Sequence, residues 1–138
     1  MREILFRGKR KDNGEWVEGD LLKYETGETA ILSRFSRYGF EATEIYLRNK
    51  VIPETVCQYT GLTDKNGRKI FEGDIVRYGD TIHKVVFEQR NGTAYFGLVY
   101  SPFETLPFGH YQDLKQIEII GNIYDNPELM GSEVVDNG

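Results

Sequence analysis

The feature that most constrains the fold is a motif that occurs twice in the 138 residues. Residues 6–24 read FRGKRKDNGEWVEGDLLKY, and residues 59–78 read YTGLTDKNGRKIFEGDIVRY. With one extra residue allowed at Arg68, the aligned segments share seven identical positions. These are a glycine, the Asn-Gly pair, the Glu-Gly-Asp set and a final tyrosine. An internal repeat restricts the possible architectures before any local structure is considered.

Each copy contains two groups of turn-forming residues. Asn-Gly tolerates positive φ at both central positions of a type I′ turn, which predicts hairpins at Asn13-Gly14 and Asn66-Gly67. Glu-Gly-Asp predicts a second bend, because glycine permits an unusual φ and aspartate bonds nearby backbone. These bends are expected at Glu18-Gly19-Asp20 and Glu72-Gly73-Asp74. Each copy is therefore predicted to be a turn, a short strand, a bend and a longer strand.

Alternating apolar residues predict further strands. Segments 82–88 and 94–100 flank an Asn91-Gly92 turn and predict a hairpin. A last strand is expected over 117–124, with a bulge or close packing at Gly121. Weaker strand signals occur at 30–33, 44–47 and 56–60. The sequence therefore predicts an all-β protein.

Loops, a short helical turn and a tail complete the predicted organisation. Segments 34–42 and 101–109 read as loops, which often carry function. Asn126-Pro127 predicts a single helical turn, and residues 131–138 an acidic mobile tail. The length predicts one β domain over 1–126, with a subdivision between 56 and 57, followed by the helical turn and tail over 127–138.

Charge and cysteine usage narrow the functional class. The net charge is −5, which argues against non-specific binding of polyanions by the whole surface. Residues 1–50 nevertheless carry ten Lys and Arg against nine Asp and Glu, and Arg7, Lys9, Arg10 and Lys11 form a basic cluster. Cys57 is the single cysteine, so an intramolecular disulfide is impossible and a cytoplasmic setting is expected. The first residues do not have the pattern of a signal peptide.

Known catalytic and metal-binding patterns do not fit the sequence. A cysteine dyad of Cys57 with His83 or His110 is conceivable, but a cysteine in an apolar strand is usually a core residue. Placing Gly67 at the glycine position of a calcium loop puts Leu62 and Gly73 at ligand positions, which excludes calcium. The repeated carboxylates are better explained by turn geometry than by acid–base chemistry. No enzyme activity, catalytic residue, metal or cofactor is therefore expected.

Several motifs together resemble the YopX family of bacteriophage and prophage proteins. They run in family order along most of the chain: REILFR at 2–7, PETV at 53–56, QYTGL at 58–62, DKNG at 64–67, IFEGDIV at 70–76 and IGNIYDNPEL at 120–129. Cys57 departs from the pattern, since a small residue is expected there. The resemblance implies a phage or prophage origin and a fold related to SH3-like β-barrels, which would occupy 57–126 behind an N-terminal β region at 1–56. It implies no activity.

These observations favour a small non-enzymatic binding or adaptor protein that acts through a host or phage protein, or through self-association as a homo-oligomer. The alternative is a nucleic-acid-binding barrel, single-stranded or duplex, in which basic and aromatic residues form the binding surface. The candidate residues for a binding surface of either kind are Arg7, Lys9, Arg10, Lys11, Trp16, Arg34, Phe35, Arg37, Tyr38, Phe103, Phe108 and Tyr111. No membrane partner is expected.

Overall fold

The computed structural model describes residues 3–36, 44–90, 92–102, 104–108 and 112–130. Within these ranges the chain forms β-strands and three short 3-10 turns, which confirms the all-β class. The chain divides into two compact units, 1–59 and 60–138. The subdivision expected from the sequence lies three residues earlier. Each unit contains one copy of the motif, apart from Tyr59 at the start of the second.

The first unit is built from antiparallel strands in the order β4-β3-β2-β1-β5. Its strands are β1 (Phe6–Lys9), β2 (Trp16–Lys23), β3 (Thr29–Ser36), β4 (Glu44–Lys50) and the beginning of β5 (Cys57–Thr63), with a 3-10 turn at Pro53–Thr55. The three weaker strand predictions are confirmed by β3, β4 and β5. Residues 34–36 of the predicted loop belong to β3, so that loop was placed too early; positions 37–42 lie outside the described residues.

A short stretch after β4 returns to β1. Arg10 and Val51 form an antiparallel bridge, the Lys11 N–H donates to the Lys50 carbonyl at 3.0 Å, and the Ile52 N–H donates to the Lys9 carbonyl at 2.8 Å. Val51 is fully buried, and Gly8 leaves room for it, because a Cβ on Gly8 would lie 3.2 Å from the valine side chain. Burial of apolar groups between these strands stabilises the first unit.

The second unit contains β6 (Lys69–Phe71), which follows β5, and a five-stranded antiparallel sheet in the order β10-β9-β8-β7-β11. The strands of this sheet are β7 (Asp74–Tyr78), β8 (Thr81–Arg90), β9 (Thr93–Ser101), β10 (Glu104–Pro107) and β11 (Ile117–Asn122). The predicted hairpin of β8 and β9 is confirmed. The predicted loop at 101–109 is wrong, because β10 pairs with β9 within it.

The core of the second unit is formed by six buried aliphatic side chains, namely Ile70, Val76, Val85, Leu98, Ile117 and Ile119. Alternation along β7, β8, β9 and β11 points five of these residues to one side of the sheet, and Ile70 of β6 packs with them. The described pairings leave β10 and β11 as the two ends of that sheet. The SH3-like barrel therefore stays a prediction.

Gly121 lies at a β-bulge and is also closely packed, the two features that the sequence offered for it. The pairing of β11 with β7 shifts register between Ile119 and Gly121, which is the bulge. A Cβ on Gly121 would lie 2.6 Å from Asn126 Oδ1 and 2.8 Å from Leu129 Cδ1, which is the close packing. Leu129 belongs to the 3-10 turn Pro127–Met130, which confirms the predicted helical turn. The tail at 131–138 lies outside the described residues.

The Asn-Gly turns of the two motif copies form, but with loops longer than a two-residue type I′ turn. In the second copy the Gly67 N–H donates to the Asp64 carbonyl at 3.0 Å, and Gly67 has φ +79°. This is the three-residue hairpin loop in which a glycine in the left-handed region follows the turn. In the first copy the Gly14 N–H donates to the Arg10 carbonyl at 2.9 Å, so that loop has four residues. Of the third turn, Gly92 has φ +79° and Asn91 lies outside the described residues.

The predicted Glu-Gly-Asp bend occurs in only one copy. Glu72 and Gly73 form a turn that separates β6 from β7, with Gly73 at φ +87°. Glu18, Gly19 and Asp20 instead lie inside β2, so the bend predicted there is wrong. Gly19 is needed for a different reason. A Cβ at this position would overlap the Leu32 carbonyl, whose carbon lies only 2.7 Å away, because the backbone of the neighbouring strand β3 lies against it.

Candidate functional site

The residues predicted to form a binding surface do not form a single site. Arg7, Lys9 and Trp16 come together on the β1–β2 hairpin, and Arg10 and Lys11 line a cleft near its tip. Phe108 packs against the core of the second unit. The side chains of Arg34 and Phe35, and residues Arg37, Tyr38, Phe103 and Tyr111, lie outside what the structure describes.

Trp16 is covered by cations rather than presented as a bare ring. Lys9 and Trp16 face each other in the β1–β2 register. The Arg7 guanidinium carbon lies 4.7 Å from the indole centroid, and Lys9 Nζ lies 5.5 Å from it. Such cation–π contacts contribute about 0.5–1 kcal/mol each at exposed sites. This arrangement holds two positive charges at a defined place on the hairpin.

The tip of the same hairpin borders a basic cleft of about 430 Å³. Its lining residues come from the β1–β2 loop and the end of β4: Arg10, Lys11, Asp12, Arg48, Asn49 and Lys50. Asn49 is buried and donates to the Ile31 carbonyl at 3.1 Å and to Ser33 Oγ at 2.8 Å. Arg48 and Lys50, one residue to either side, are exposed on the opposite face of β4.

The second unit has its own open pocket, of about 440 Å³, at the start of β8. It is lined by four apolar or aromatic residues and three polar ones, namely Ile82, Tyr100, Leu129, Met130, Asp80, Thr81 and His83. Ile82 is 38% exposed and Tyr100 is 37% exposed. Binding pockets commonly combine apolar walls with a few placed polar groups. This pocket is mixed, with apolar and polar side chains in similar number.

His83 forms the polar wall of this pocket and is tied to three neighbours. Nδ1 lies 3.0 Å from the Val99 carbonyl, which can only accept, so Nδ1 carries a proton. Nε2 lies 2.7 Å from Thr81 Oγ1, and the ring centroid lies 4.3 Å from that of Tyr100. The Thr81 hydroxyl also lies 3.0 Å from the Tyr78 carbonyl, so its single proton is donated either to Nε2 or to that carbonyl. Both ring nitrogens therefore serve to position the ring and the turn before β8.

Cys57 and the repeated aspartates also have structural contacts. Cys57 is 1% exposed, and its thiol donates to the Thr55 carbonyl at 3.2 Å. Asp74 is buried and accepts from the Phe71 N–H at 2.8 Å, whereas Asp20 is exposed. In the described part of the chain, no three His, Cys, Asp or Glu side chains are grouped as a metal site would require.

Asp64 is a heavily bonded carboxylate of the second copy. Its Oδ1 accepts from the N–H groups of Asn66 and Arg68, each at 2.9 Å, and its Oδ2 accepts from the Ile119 N–H at 3.0 Å. Burial raises the pKa of Asp64, but the three backbone donors and the Arg68 charge outweigh it, so this pKa lies below its ordinary value. Asp64 thus fixes the Asn-Gly turn against β11.

Sequence reasoning missed the residues that complete both sites. Arg48 and Lys50 lie 38 or more positions beyond Arg10, and only the return of the chain after β4 brings them to the hairpin tip. Their alternation around a buried asparagine was a usable signal, since it places both cations on one strand face. The pocket residues Ile82, Leu129 and Met130 were each assigned to a strand or a turn, and the sequence gives no sign that they meet.

No helix among the described residues has the length and apolar character that crossing a membrane requires.

No curated protein matches the chain. The crystal structure of protein EF1440 from Enterococcus faecalis has a similar fold, with a TM-score of 0.54 and 22% sequence identity, over 94% of this chain and 99% of that one. At that identity the likeness concerns the fold alone.

Fold and sites together define the class as an all-β protein of two antiparallel sheets, with a basic cleft in one unit and a mixed pocket in the other. A family model described as "YopX protein" matches residues 5–131. The chain therefore belongs to the YopX family, as its motifs indicated.

Proposed function

We propose that this YopX family member is a non-enzymatic binding or adaptor protein, encoded by a phage or prophage, that acts on another protein in the cytoplasm of a bacterial host. The observation that carries the proposal is the open pocket at the start of β8. There Ile82 and Tyr100, both more than a third exposed, meet Leu129 and Met130. Large apolar side chains left exposed around one concave site are typical of contact surfaces.

The chemistry of the pocket supports binding over catalysis. Its one imidazole, His83, is 4% exposed and has both ring nitrogens in hydrogen bonds with Val99 and Thr81. A general base needs a nitrogen within reach of a substrate proton. Because His83 is already engaged by the protein, its role is to hold Tyr100 and the β7–β8 turn in place.

The partner contact is an apolar side chain of the bound protein that enters the pocket beside Ile82 and Tyr100. Contact residues at the centre of an interface typically contribute most of the binding free energy. Tyr100 also supplies a hydroxyl, which accepts from Gln112 Nε2 at 3.0 Å and thereby keeps the ring in one orientation. A ring held in this way loses little conformational entropy on binding.

Affinity capture from phage-infected cells tests the proposal with three baits. The wild-type chain is compared with Ile82→Glu, which puts a charge at the pocket, and with Phe87→Glu, a matched change of an exposed residue (43%) on the same strand but outside the pocket. We expect one protein to be captured by the wild type and by Phe87→Glu, and to be lost with Ile82→Glu. Equal capture by all three baits would contradict the role of the pocket.

Light scattering over a range of protein concentrations separates this proposal from self-association. A mass that rises with concentration for the wild type but not for Ile82→Glu would assign the pocket to a second copy of this chain, and the protein would be a homo-oligomer. A constant monomer mass together with pocket-dependent capture is the result that we expect.

A further inference from the structure

The basic cleft of the first unit is built by the backbone rather than by chance contact of long side chains. The Lys11 N–H donates to the Lys50 carbonyl, and the bridge between Arg10 and Val51 follows directly. The Val51 N–H donates in turn to the Thr29 carbonyl of β3 at 3.1 Å. Cations from the β1–β2 loop and from the end of β4 are therefore held next to each other whenever the unit is folded.

The cleft concentrates positive charge on a chain whose net charge is −5. Arg10, Lys11, Arg48 and Lys50 line it together with one carboxylate, Asp12. Asp12 Oδ2 lies 2.6 Å from Arg10 Nη2, so that carboxylate offsets Arg10. Within the described residues, Lys11, Arg48 and Lys50 have no carboxylate partner. Placing like charges together costs free energy unless an anion occupies the site.

The Arg48 side chain is held in place by a neutral hydrogen-bond partner, which leaves its positive charge uncompensated. Its Nη1 donates to the Tyr24 hydroxyl at 2.6 Å, and a phenol is a neutral acceptor. The guanidinium keeps its full charge and its remaining N–H donors, which match the geometry of a phosphate. Tyr24 thus positions Arg48 for an anionic ligand.

The described aromatic residues near the cleft do not provide a stacking platform for bases. Trp16 has Arg7 and Lys9 over its ring, and the Tyr24 hydroxyl is bound to Arg48. Stacking on exposed aromatic rings is the usual source of single-strand binding, whereas contacts from Arg and Lys to phosphates carry no sequence information. The local chemistry is that of charge recognition.

From these observations we infer that the cleft binds consecutive phosphate groups of a nucleic-acid backbone, independently of base sequence. Lys11, Arg48 and Lys50 contact the phosphates, and Arg7 and Lys9 add positive charge on the same hairpin. This activity is separate from the protein-binding pocket of the second unit.

Fluorescence polarisation of a labelled 20-base-pair DNA of mixed sequence tests the inference at several salt concentrations. We expect measurable binding at low salt that weakens as salt rises. The double variant Lys11→Gln/Lys50→Gln should lose about tenfold or more in affinity at low salt, and its slope of log K against log salt should fall in magnitude by about 2. The control, Lys23→Gln/Lys115→Gln, removes the same charge from two exposed lysines outside the cleft and should stay within about twofold of the wild type.

Competition experiments identify the ligand. Pyrophosphate that displaces the DNA completely at equal phosphate concentration would point to a small phosphorylated ligand and overturn the nucleic-acid assignment. Polyglutamate that competes as well as DNA would assign the cleft to an acidic protein segment and overturn it too. An absence of DNA binding at low salt, or an equal loss in the control variant, would remove the cleft as a site altogether.

Discussion

In the first copy of the motif, Glu18, Gly19 and Asp20 lie in the middle of β2, a single strand of eight residues. In the second copy, Glu72 and Gly73 form a turn, and Asp74 begins a new strand in a different sheet. The same three amino acids therefore continue a strand in one unit and end a strand in the other. Local sequence permits both outcomes, and the surroundings decide between them.

The surroundings differ in what each residue contacts. In the second unit the Gly73 N–H donates to the Val85 carbonyl at 2.8 Å, the Gly73 carbonyl accepts from Ile123, and Asp74 closes the turn on Phe71. In the first unit Asp20 is exposed, and the Leu32 backbone of the neighbouring strand lies against Gly19. The extra residue at Arg68 also lengthens by one the spacing between the Asn-Gly pair and the Glu-Gly-Asp set. A duplicated sequence can thus be used for two different structural purposes.

The comparison predicts that alanine at Gly19 destabilises the protein more than alanine at Gly73. At Gly19 the new Cβ meets backbone that cannot move away, so we expect a loss of about 3 kcal/mol or more. At Gly73 the cost is that of a positive φ, about 1–2 kcal/mol. Denaturant unfolding of the two variants measures both.

Asparagine substitutions sharpen this test, because asparagine tolerates positive φ but is larger than alanine. Gly14→Asn should cost less than Gly14→Ala, because Gly14 has φ +73° and nothing lies within 4 Å of its Cβ position. Gly19→Asn should cost at least as much as Gly19→Ala. The reverse order at Gly19 would mean that backbone conformation, and not space, explains that glycine.

A smaller effect is expected at Asp64, which has no counterpart in the first copy, where Lys11 occupies the aligned position. Asp64→Asn leaves the Ile119 N–H facing an amide donor, so we expect a loss of about 1–3 kcal/mol at pH 7. Lys11→Asn, at an exposed position, should stay within about 0.5 kcal/mol of the wild type.

The effect of Asp64 should depend on pH in a defined direction. Its pKa is lowered in the folded state, so its stabilisation is present above the unfolded-state pKa, about 3.9, and is lost as pH falls through the folded-state value. The difference in unfolding free energy between wild type and Asp64→Asn should therefore shrink below about pH 4. A difference that stays constant down to pH 2 would show that the charge of Asp64 is not what matters.

The smallest effects are expected at the last position of the Glu-Gly-Asp set. Asp74→Asn weakens a buried bond to the Phe71 N–H, and we expect a loss of about 1 kcal/mol. Asp20→Asn, on the exposed face of β2, should change stability by less than about 0.5 kcal/mol. Thermal unfolding of the two variants measures the difference. Equal losses would mean that the Asp20 carboxylate stabilises the fold although it is exposed.

The sequence predicted the positions of most strands, but it did not predict how the strands pair and pack. Alternating apolar residues and Asn-Gly pairs located β8, β9, β11 and the turns because these signals are local. The bend at Gly19 was predicted wrongly because a glycine needed for space looks identical to one needed for its φ. The segment of β10 was read as a loop because Pro102 and Pro107 argue against a strand, and among the described residues β10 pairs with β9 alone.

The distinction between local sequence signals and tertiary contacts applies to the candidate sites as well. Lys9 and Trp16 were both among the predicted surface residues, and the structure places them opposite each other across a short hairpin. The cleft also needs Arg48 and Lys50, and their position depends on the chain returning to β1 after β4. Such a contact is set by the tertiary arrangement, which neither charge pattern nor propensity encodes at short range.

The edge strand β10 affects how readily another chain can pair with this sheet. The Phe108 N–H donates to the Phe96 carbonyl, so alternate residues of β10 turn their N–H groups toward β9, and position 107 faces the open side. Residue 107 is proline, which has no N–H to offer there. An incoming chain would find no donor at position 107, so this edge is a poorer template for pairing with another chain.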